Sequence, residues 1–530
     1  MIPTQFRLPR LMVVLFVACI GAVSSTLAGN AATAVADPAT AESSTAVMPS
    51  GDSQTDVIAN SVVKVFGTLR YPDVMKPWTK NNPTEISGSG LVIDGNRIIT
   101  NAHVVLYASE VEIQGNQAGN RLPARVAAVA PGIDLAVLTL DDESFFATHS
   151  PLKRATDLPR IKDSVLVYGY PTGGASLSIT KGIVSRIEYA HYNASTFGLR
   201  IQIDAAINHG NSGGPAMAGR SVIGVAFSFL GDAQNIGYII PTEEIELMLK
   251  QVGSGGYKGR LNAFDLLQTL ENPALRRFLK LDPSTHGIVV ARPDSDEPAY
   301  PLKRWDVITQ VGDVPVDDQG MIKLRDDLRV QMSYLYQGLS KNGIVPIKVA
   351  RAGQIEPLRF PVKTEFPSLF PDLQGAYPSY FIFGPIVFSR ASAQLVGLIQ
   401  GNAAAAKFLQ MRASPLITRL SEKPAFPEEE LVVIPSPFFP SKLSTGYNNP
   451  ALRVVRAVNQ IPIKNLRHLV RVLRDSKDKF LVIEFFDQYV DKLVFRRADL
   501  IAATESILVE NGVRSQGTPD TMAEWNSTQP

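Results

Sequence analysis

The chain has 530 residues, too many for one compact core and enough for two to four domains. Hydrophobic residues make up 45% and charged residues 19%, the balance of a globular protein. A formal net charge of +2 removes the electrostatic ground for nucleic-acid binding, which rests on a strongly basic face.

At the N-terminus, Arg7 and Arg10 precede an apolar run over residues 11–23, and small residues follow. The run is short of the ~20 residues that span a bilayer and has the form of a secretory h-region. Ala34-Val35-Ala36 before Asp37 matches a cleavage site, and Thr26-Leu27-Ala28 is an earlier candidate. The expectation is a signal peptide over 1–36 and a periplasmic or secreted protein with no integral membrane span once it is removed. An uncleaved anchor is the alternative. The single cysteine, Cys19, lies in this run, where Phe16-Val17-Ala18-Cys19 resembles a lipoprotein box except at Phe16. A mature chain without it has no disulfide, thiol nucleophile or Cys-ligated metal. Covalent catalysis then falls to an oxygen or nitrogen nucleophile, and no cofactor or metal is called for.

Residues 37–55 are Ala/Ser/Thr-rich and read as a flexible linker. From 56 to 252, short apolar runs alternate with turn residues, at 62–66, 90–93, 97–100, 135–140, 165–168, 200–204 and 222–229. Many short strands of this kind predict a mainly β domain, a sandwich or barrel. Pro241-Thr242-Glu243-Glu244 then opens a helix, with Thr242 as the expected cap and acids in the first turn.

Val252-Gly253-Ser254-Gly255-Gly256 reads as a linker to two α/β modules, 257–364 and 365–514. Both have a strand, a turn before "VGDVPV" or "VNQIPI", a helix, and a strand near "PIKVA" or "FLVIEF", a weak internal repeat. Strands are expected at 287–291, 306–311, 344–350, 452–458 and 480–486, with a helix over 466–474. In that helix Arg467, Arg471 and Arg474, followed by Lys477 and Lys479, oppose Leu466, Leu469, Val470 and Leu473. This is the pattern of a solvated face on an amphipathic helix. The tail over 515–530 is polar and expected to be disordered.

Amide hydrolysis through serine needs a base, a carboxylate to orient it, and backbone donors for the oxyanion. In Gly210-Asn211-Ser212-Gly213-Gly214-Pro215 the glycines permit a tight turn around Ser212, with the amides of Gly210 and Ser212 as donors. A plain β-turn is the alternative. His103 follows the apolar run Ile98-Ile99-Thr100, a rigid place for a base. His209 adjoins the serine loop but is too close in sequence to reach its hydroxyl, and His149, His191, His286 and His468 read as structural. Asp134 opens the apolar strand Leu135-Ala136-Val137-Leu138, so burial calls for a partner such as a histidine N–H. Asp94-Gly95 reads as a hairpin turn, and Asp204 is the rival carboxylate. The order His103, Asp134, Ser212 is that of the chymotrypsin-type double barrel. The loop also fits G-x-S-x-G, but a nucleophile elbow needs a helix next and an acid and histidine downstream; here Pro215 and a strand follow.

"SGSGLVI", "IITNAHVV", "GIDLAVLTL", "VYGYPTGG", "IDAAINHGNSGGPA" and "IGYIIPT" resemble the Deg/HtrA serine proteases in order. "LENPALRRFLKL", "PSYFIF" and "LRHLVRVLRDSKDKFLVIEFFDQYV" are similar to the subgroup that includes plant Deg members. The resemblance implies a trypsin-like double β-barrel followed by two PDZ-like modules. It implies His103 as general base, Asp134 as its orienter, Ser212 as nucleophile, and Gly210, Asn211 and Ser212 as the oxyanion loop. It further implies ATP-independent endoproteolysis of unfolded or damaged proteins by trimers or multiples of trimers. Ile223, Val225, Ala226 and Phe227 would shape a substrate pocket for small or medium aliphatic side chains. In the first module, the loop that would hold a peptide carboxylate, Leu261-Asn262-Ala263-Phe264, lacks the expected glycine; an architectural role therefore stands beside peptide capture. A chaperone or scaffold with a resting protease domain, or an esterase with the same triad, are the other functional classes.

Overall fold

The computed structural model describes residues 53–171, 174, 176–192, 196–208, 210–227, 237–364, 366–488 and 491–527. The expected signal peptide, most of the linker after it, and His209 fall outside them. The last linker residues instead begin helix α1 (Ser53–Asn60).

The short apolar runs of the first half close into two six-stranded barrels. The first contains β1 (Val62–Leu69), β2 (Thr84–Ile93), β3 (Arg97–Thr100), β4 (Ala108–Gln114), β5 (Leu122–Ala130) and β6 (Leu135–Leu140), ordered β1-β2-β3-β6-β5-β4. The second contains β7 (Ser164–Gly169), β8 (Ser178–His191), β9 (Phe197–Ile203), β10 (Pro215–Ala218), β11 (Ser221–Phe227) and β12 (Gly237–Pro241), ordered β10-β11-β12-β9-β8-β7. Closure pairs every strand edge. Between the barrels runs an apolar seam in which Val62, Leu91 and Ile93 of the first meet Val222, Val225 and Ile240 of the second. That contact explains why β11 and β12 are almost wholly buried and read as continuous apolar runs.

A one-turn helix, α2 (Ala102–Val105), follows β3, and α3 (Thr242–Val252) follows β12. Glu243 and Glu244 stand in the first turn of α3 as expected, but Pro241 takes the cap position and Thr242 is the first helical residue. The Thr242 hydroxyl is drawn elsewhere, donating to the Ala155 carbonyl at 2.9 Å.

Each module is built around a sheet, of six strands in the first and seven in the second. The internal repeat is structural: Val311 pairs with Val314, and Val458 with Ile461, across equivalent two-residue turns. The expected strands appear at Ile288–Arg292, Val307–Val311, Ile344–Arg351, Arg453–Val458 and Phe480–Phe485, and the expected helix at Leu466–Asp475. In the first module the loop at Asn262 is tied to the exit strand, since Asn262 and Lys363 exchange both backbone hydrogen bonds at 2.9 Å.

The tail is a correction. Residues expected to be disordered from Ser515 pair with the edge strand Tyr380–Phe383 and then form the helix Pro519–Asn526. Ile382 N–H donates to the Gln516 carbonyl at 2.7 Å, while Trp525 packs against Phe381 and Phe383. The basic helix face is therefore not purely solvated: Arg471 donates to Glu524 at 2.9 Å, and Arg474 to the Glu524 carbonyl at 2.5 Å. Composition missed this because one aromatic anchor and an ion pair order a segment that is polar on average.

The two barrels carry the modules differently. One apolar cluster runs from Val165, Ile201 and Ile239 of the second barrel into Val290, Met332 and Tyr336 of the first module. Beside it, buried Arg260 donates to Glu244 at 2.7 Å and to Glu243 at 2.6 Å. Tyr334 also donates to Glu243, at 3.1 Å. The second module meets the β1–β2 connection of the first barrel through aromatic rings and through Val74 and Met75, which pack on its cluster around Leu369 and Leu395. Trp78 packs on Phe439 with centroids 4.9 Å apart, and the Tyr377 hydroxyl donates to the Arg70 carbonyl at 2.9 Å.

Candidate active site

Strands β3 and β6 are antiparallel neighbours, with Thr100 opposite Ala136. The chain just after β3 and the chain just before β6 therefore emerge side by side, which brings His103 to Asp134. A short 3₁₀ turn, Pro131–Ile133, ends at Asp134 with φ 56° and ψ 44°, a left-handed conformation in which Asp is one of the tolerated residues. Asn101 holds that turn by donating from Nδ2 to the Asp134 carbonyl at 2.8 Å.

The Asp134 carboxylate is used twice by one residue. Oδ1 accepts the His103 backbone N–H at 2.8 Å, and Oδ2 meets the imidazole Nδ1 at 2.7 Å. Burial pushes the His103 pKa down, but the hydrogen bond and charge of Asp134 push it up by more, so it lies above its ordinary value of 6.5. The same carboxylate, after burial, helps raise the Tyr71 hydroxyl pKa. Asp204, the rival, is engaged elsewhere and accepts the Ile183 N–H at 2.6 Å.

Ser212 lies between β9 and β10 and is 3% exposed. Its carbonyl accepts the Ser89 N–H of β2 at 2.7 Å, so the second-barrel loop is docked on a first-barrel strand. A Cβ at Gly88 would meet the Val104 side chain and the Ser212 carbonyl together. Glycine there lets the His103 helix and the serine loop close together on one side of β2. Gly213 has φ +91°, and a Cβ on it would run into the Ser89 carbonyl.

Within the loop, Asn211 N–H donates to the Asn208 carbonyl, Gly213 N–H to Ala226, and Gly214 N–H to Asn211, at 3.0, 2.8 and 3.0 Å. These three amides hold the turn. In a planar trans peptide the N–H opposes the preceding C=O, so the Ser212 N–H points away from the Asn211 carbonyl that Gly214 occupies. Gly210 has φ +100°. The Asn211 side-chain amide is buried, with neither atom hydrogen-bonded among the described residues; what Asn211 contributes to holding the loop comes from its backbone.

Ile223, Val225, Ala226 and Phe227 are all buried on β11. Ile223 and Ala226 enter the second-barrel core, and Val225 and Phe227 the inter-barrel seam. Ala226 meets the serine loop through its backbone, accepting from Gly213 and donating to Gly214 at 2.9 Å. The remaining described histidines lie elsewhere. His149 stacks on Phe145, and His191 packs tilted against Phe197. His468 lies beside the Asn465 cap. His286 does meet a carboxylate, with Nδ1 3.1 Å from Asp318, but in the first module. Sequence reasoning passed over Ser89, which stands among the small residues of "SGSGLVI" just before its apolar run.

The trypsin-like peptidase domain model matches residues 88–225, and a PDZ domain model matches 371–520. Protease Do-like 2, chloroplastic, of Arabidopsis thaliana is 35% identical over 475 residues, covering 88% of this chain and 76% of that protein. Protease Do-like 4, mitochondrial, of the same plant is 33% identical over 480 residues, covering 90% and 88%. A solved HtrA-type protease, AlgW with tripeptide, aligns at 27% identity over 59% of this chain and 97% of its own, with a TM-score of 0.45. The seam between two barrels, with a histidine–aspartate pair on one side and a glycine-bound serine loop on the other, thus lies in a chain that belongs to the Deg/HtrA family of serine proteases.

Proposed function

We propose that the chain is an ATP-independent endopeptidase that degrades misfolded or damaged proteins outside the cytoplasm, using His103, Asp134 and Ser212. The observation that carries this is the double contact of Asp134 with His103. A carboxylate that accepts the Nδ1 proton leaves Nε2 as the basic lone pair. His103 Nε2 takes the Ser212 hydroxyl proton as Oγ bonds the scissile carbonyl carbon. The oxyanion that forms is met by the amides of Gly210 and Ser212. As the C–N bond breaks, His103 returns the proton to the leaving amine, and water then hydrolyses the acyl-serine by the same route. Ala226, bonded to the serine loop, would lie at the wall of the pocket for the residue before the scissile bond.

Casein hydrolysis by the full chain beside Ser212→Ala tests the reading. The variant is expected to lose activity by a factor on the order of 10⁶, and equal rates would overturn Ser212 as nucleophile. Aggregation suppression retained by Ser212→Ala would add a holding role. Assembly into trimers or their multiples goes with the family reading, and light scattering on the eluted protein measures it.

A further inference from the structure

The hydrogen bonds at Ser89 converge on one task. Ser89 stands in β2 with no exposed surface, yet its hydroxyl and its N–H both bond residues of the second barrel. Its hydroxyl donates to the Gly210 carbonyl at 2.7 Å and accepts the Tyr170 N–H at 2.8 Å. Its N–H donates to the Ser212 carbonyl at 2.7 Å, and its carbonyl accepts the Thr100 hydroxyl at 2.7 Å. One strand residue thus holds the carbonyls on both sides of Asn211. A peptide unit is planar, so fixing the Gly210 carbonyl fixes the Gly210–Asn211 plane and, through one pair of dihedrals on either side, the directions of the Gly210 and Ser212 amides.

We propose that Ser89 is a positioning residue for acyl transfer: its hydroxyl, oriented by Tyr170, sets the serine loop so that the Gly210 and Ser212 amides face the developing oxyanion. The inference rests on Ser212 as nucleophile. The loop is rich in glycine, which otherwise populates many conformations, and it leaves a different barrel from the one that carries the base. A bond across the seam is what registers the two. The hydroxyl is suited to this because it donates to one side and accepts from the other. The pair of bonds also defines its rotor, since the Tyr170 N–H takes a lone pair and the proton is left for Gly210.

The test uses the full chain with Ser89→Ala, which keeps the backbone N–H and C=O and removes only the hydroxyl. Losing one oxyanion donor outright costs about 10²–10³ in rate; misdirecting the loop is expected to lower kcat about 10- to 100-fold with KM little changed. The affinity for a peptidyl boronic acid, which forms a tetrahedral adduct, should fall in step with kcat/KM. Binding of a substrate peptide to the Ser212→Ala chain should be the same with and without Ser89→Ala. An unchanged kcat overturns the proposal, as does a loss that follows the fraction of folded protein in thermal melts. A Ser89→Ala chain that does not fold makes Ser89 a structural residue and equally overturns it. Failure of the underlying reading is separate: it would appear as a wild-type chain whose Ser212 takes no fluorophosphonate label.

Discussion

The second barrel and the first module are joined as one core, whereas the first barrel only lays the partly buried Val74, Met75 and Trp78 of its β1–β2 connection on the second module's clusters. The first joint buries Arg260 with Glu244, whose side chains are 3% and 0% exposed, beside a continuous apolar cluster. The second rests on Tyr377 and Phe439 against the partly buried Val74, Met75 and Trp78 of the β1–β2 connection. The halves also divide the proposed chemistry: the serine loop rides on the tightly joined half, and His103 and Asp134 on the loosely joined one.

The largest effect expected from breaking this division is in the His103 half. Asp134→Asn keeps the size of the side chain but loses the charge that selects the Nδ1–H tautomer, and a comparable change costs about 10⁴ in kcat. Ester or peptide turnover on the full chain measures it; a fall of less than tenfold would mean that Asp134 does not orient His103. The pH profile sharpens the point. His103 must be neutral to act, so kcat/KM should fall as pH drops through a pKa raised above 6.5 by Asp134. By the same linkage, the pair contributes stability below the unfolded pKa that is lost as pH rises through the folded one. Removal of the charge in Asp134→Asn should move the acidic limb of the residual activity to lower pH, and an unmoved limb would detach that limb from His103.

Next in size is the tight joint. Burial raises the Glu244 pKa while Arg260 opposes it, and the Glu244 Oε1 also accepts the Leu199 N–H at 2.7 Å. Arg260→Leu leaves that carboxylate buried without its cation, a change that costs about 3–5 kcal/mol. Urea unfolding should register this, and adding Glu244→Gln should recover a large part of it because the stranded charge is gone. If the double variant is no more stable than Arg260→Leu, the pair is not what makes the joint costly to break.

The fold and the His103–Asp134 pair were legible because both follow from short-range pattern. Apolar runs fixed by turn residues predicted β3 and β6, and their pairing delivers the two side chains to one place. Contacts across the seam were not legible. Ser89 looks like filler in a small-residue strand until the serine loop docks on it, and Thr242 looks like a cap until Ala155 claims its hydroxyl. The helix Ala403–Met411 was missed although Asn402 caps it, since an alanine run has no apolar period to find. The tail was misread for the opposite reason, its order coming from Tyr380–Phe383 and the Arg471 helix rather than from its own composition.

The smallest effect should come from the loose joint. Tyr377→Phe removes the hydrogen bond to the Arg70 carbonyl while keeping the ring 5.6 Å from Tyr107. A bond of this kind contributes about 0.5–1.5 kcal/mol net, so the melting temperature should shift by only a few degrees. Its local consequence should be larger than its global one. Arg70 N–H donates to the Tyr107 carbonyl at 2.9 Å, and Tyr107 follows helix α2, so loosening Tyr377 should raise hydrogen exchange at Arg70 before exchange rises in β6 or β11. Turnover should change by a few-fold at most in Tyr377→Phe and further in Tyr377→Ala, which also removes the ring. Were Tyr377→Phe to destabilise the chain as much as Arg260→Leu, the two joints would be energetically alike, and the strength of the joint could not be what distinguishes the His103 half from the Ser212 half.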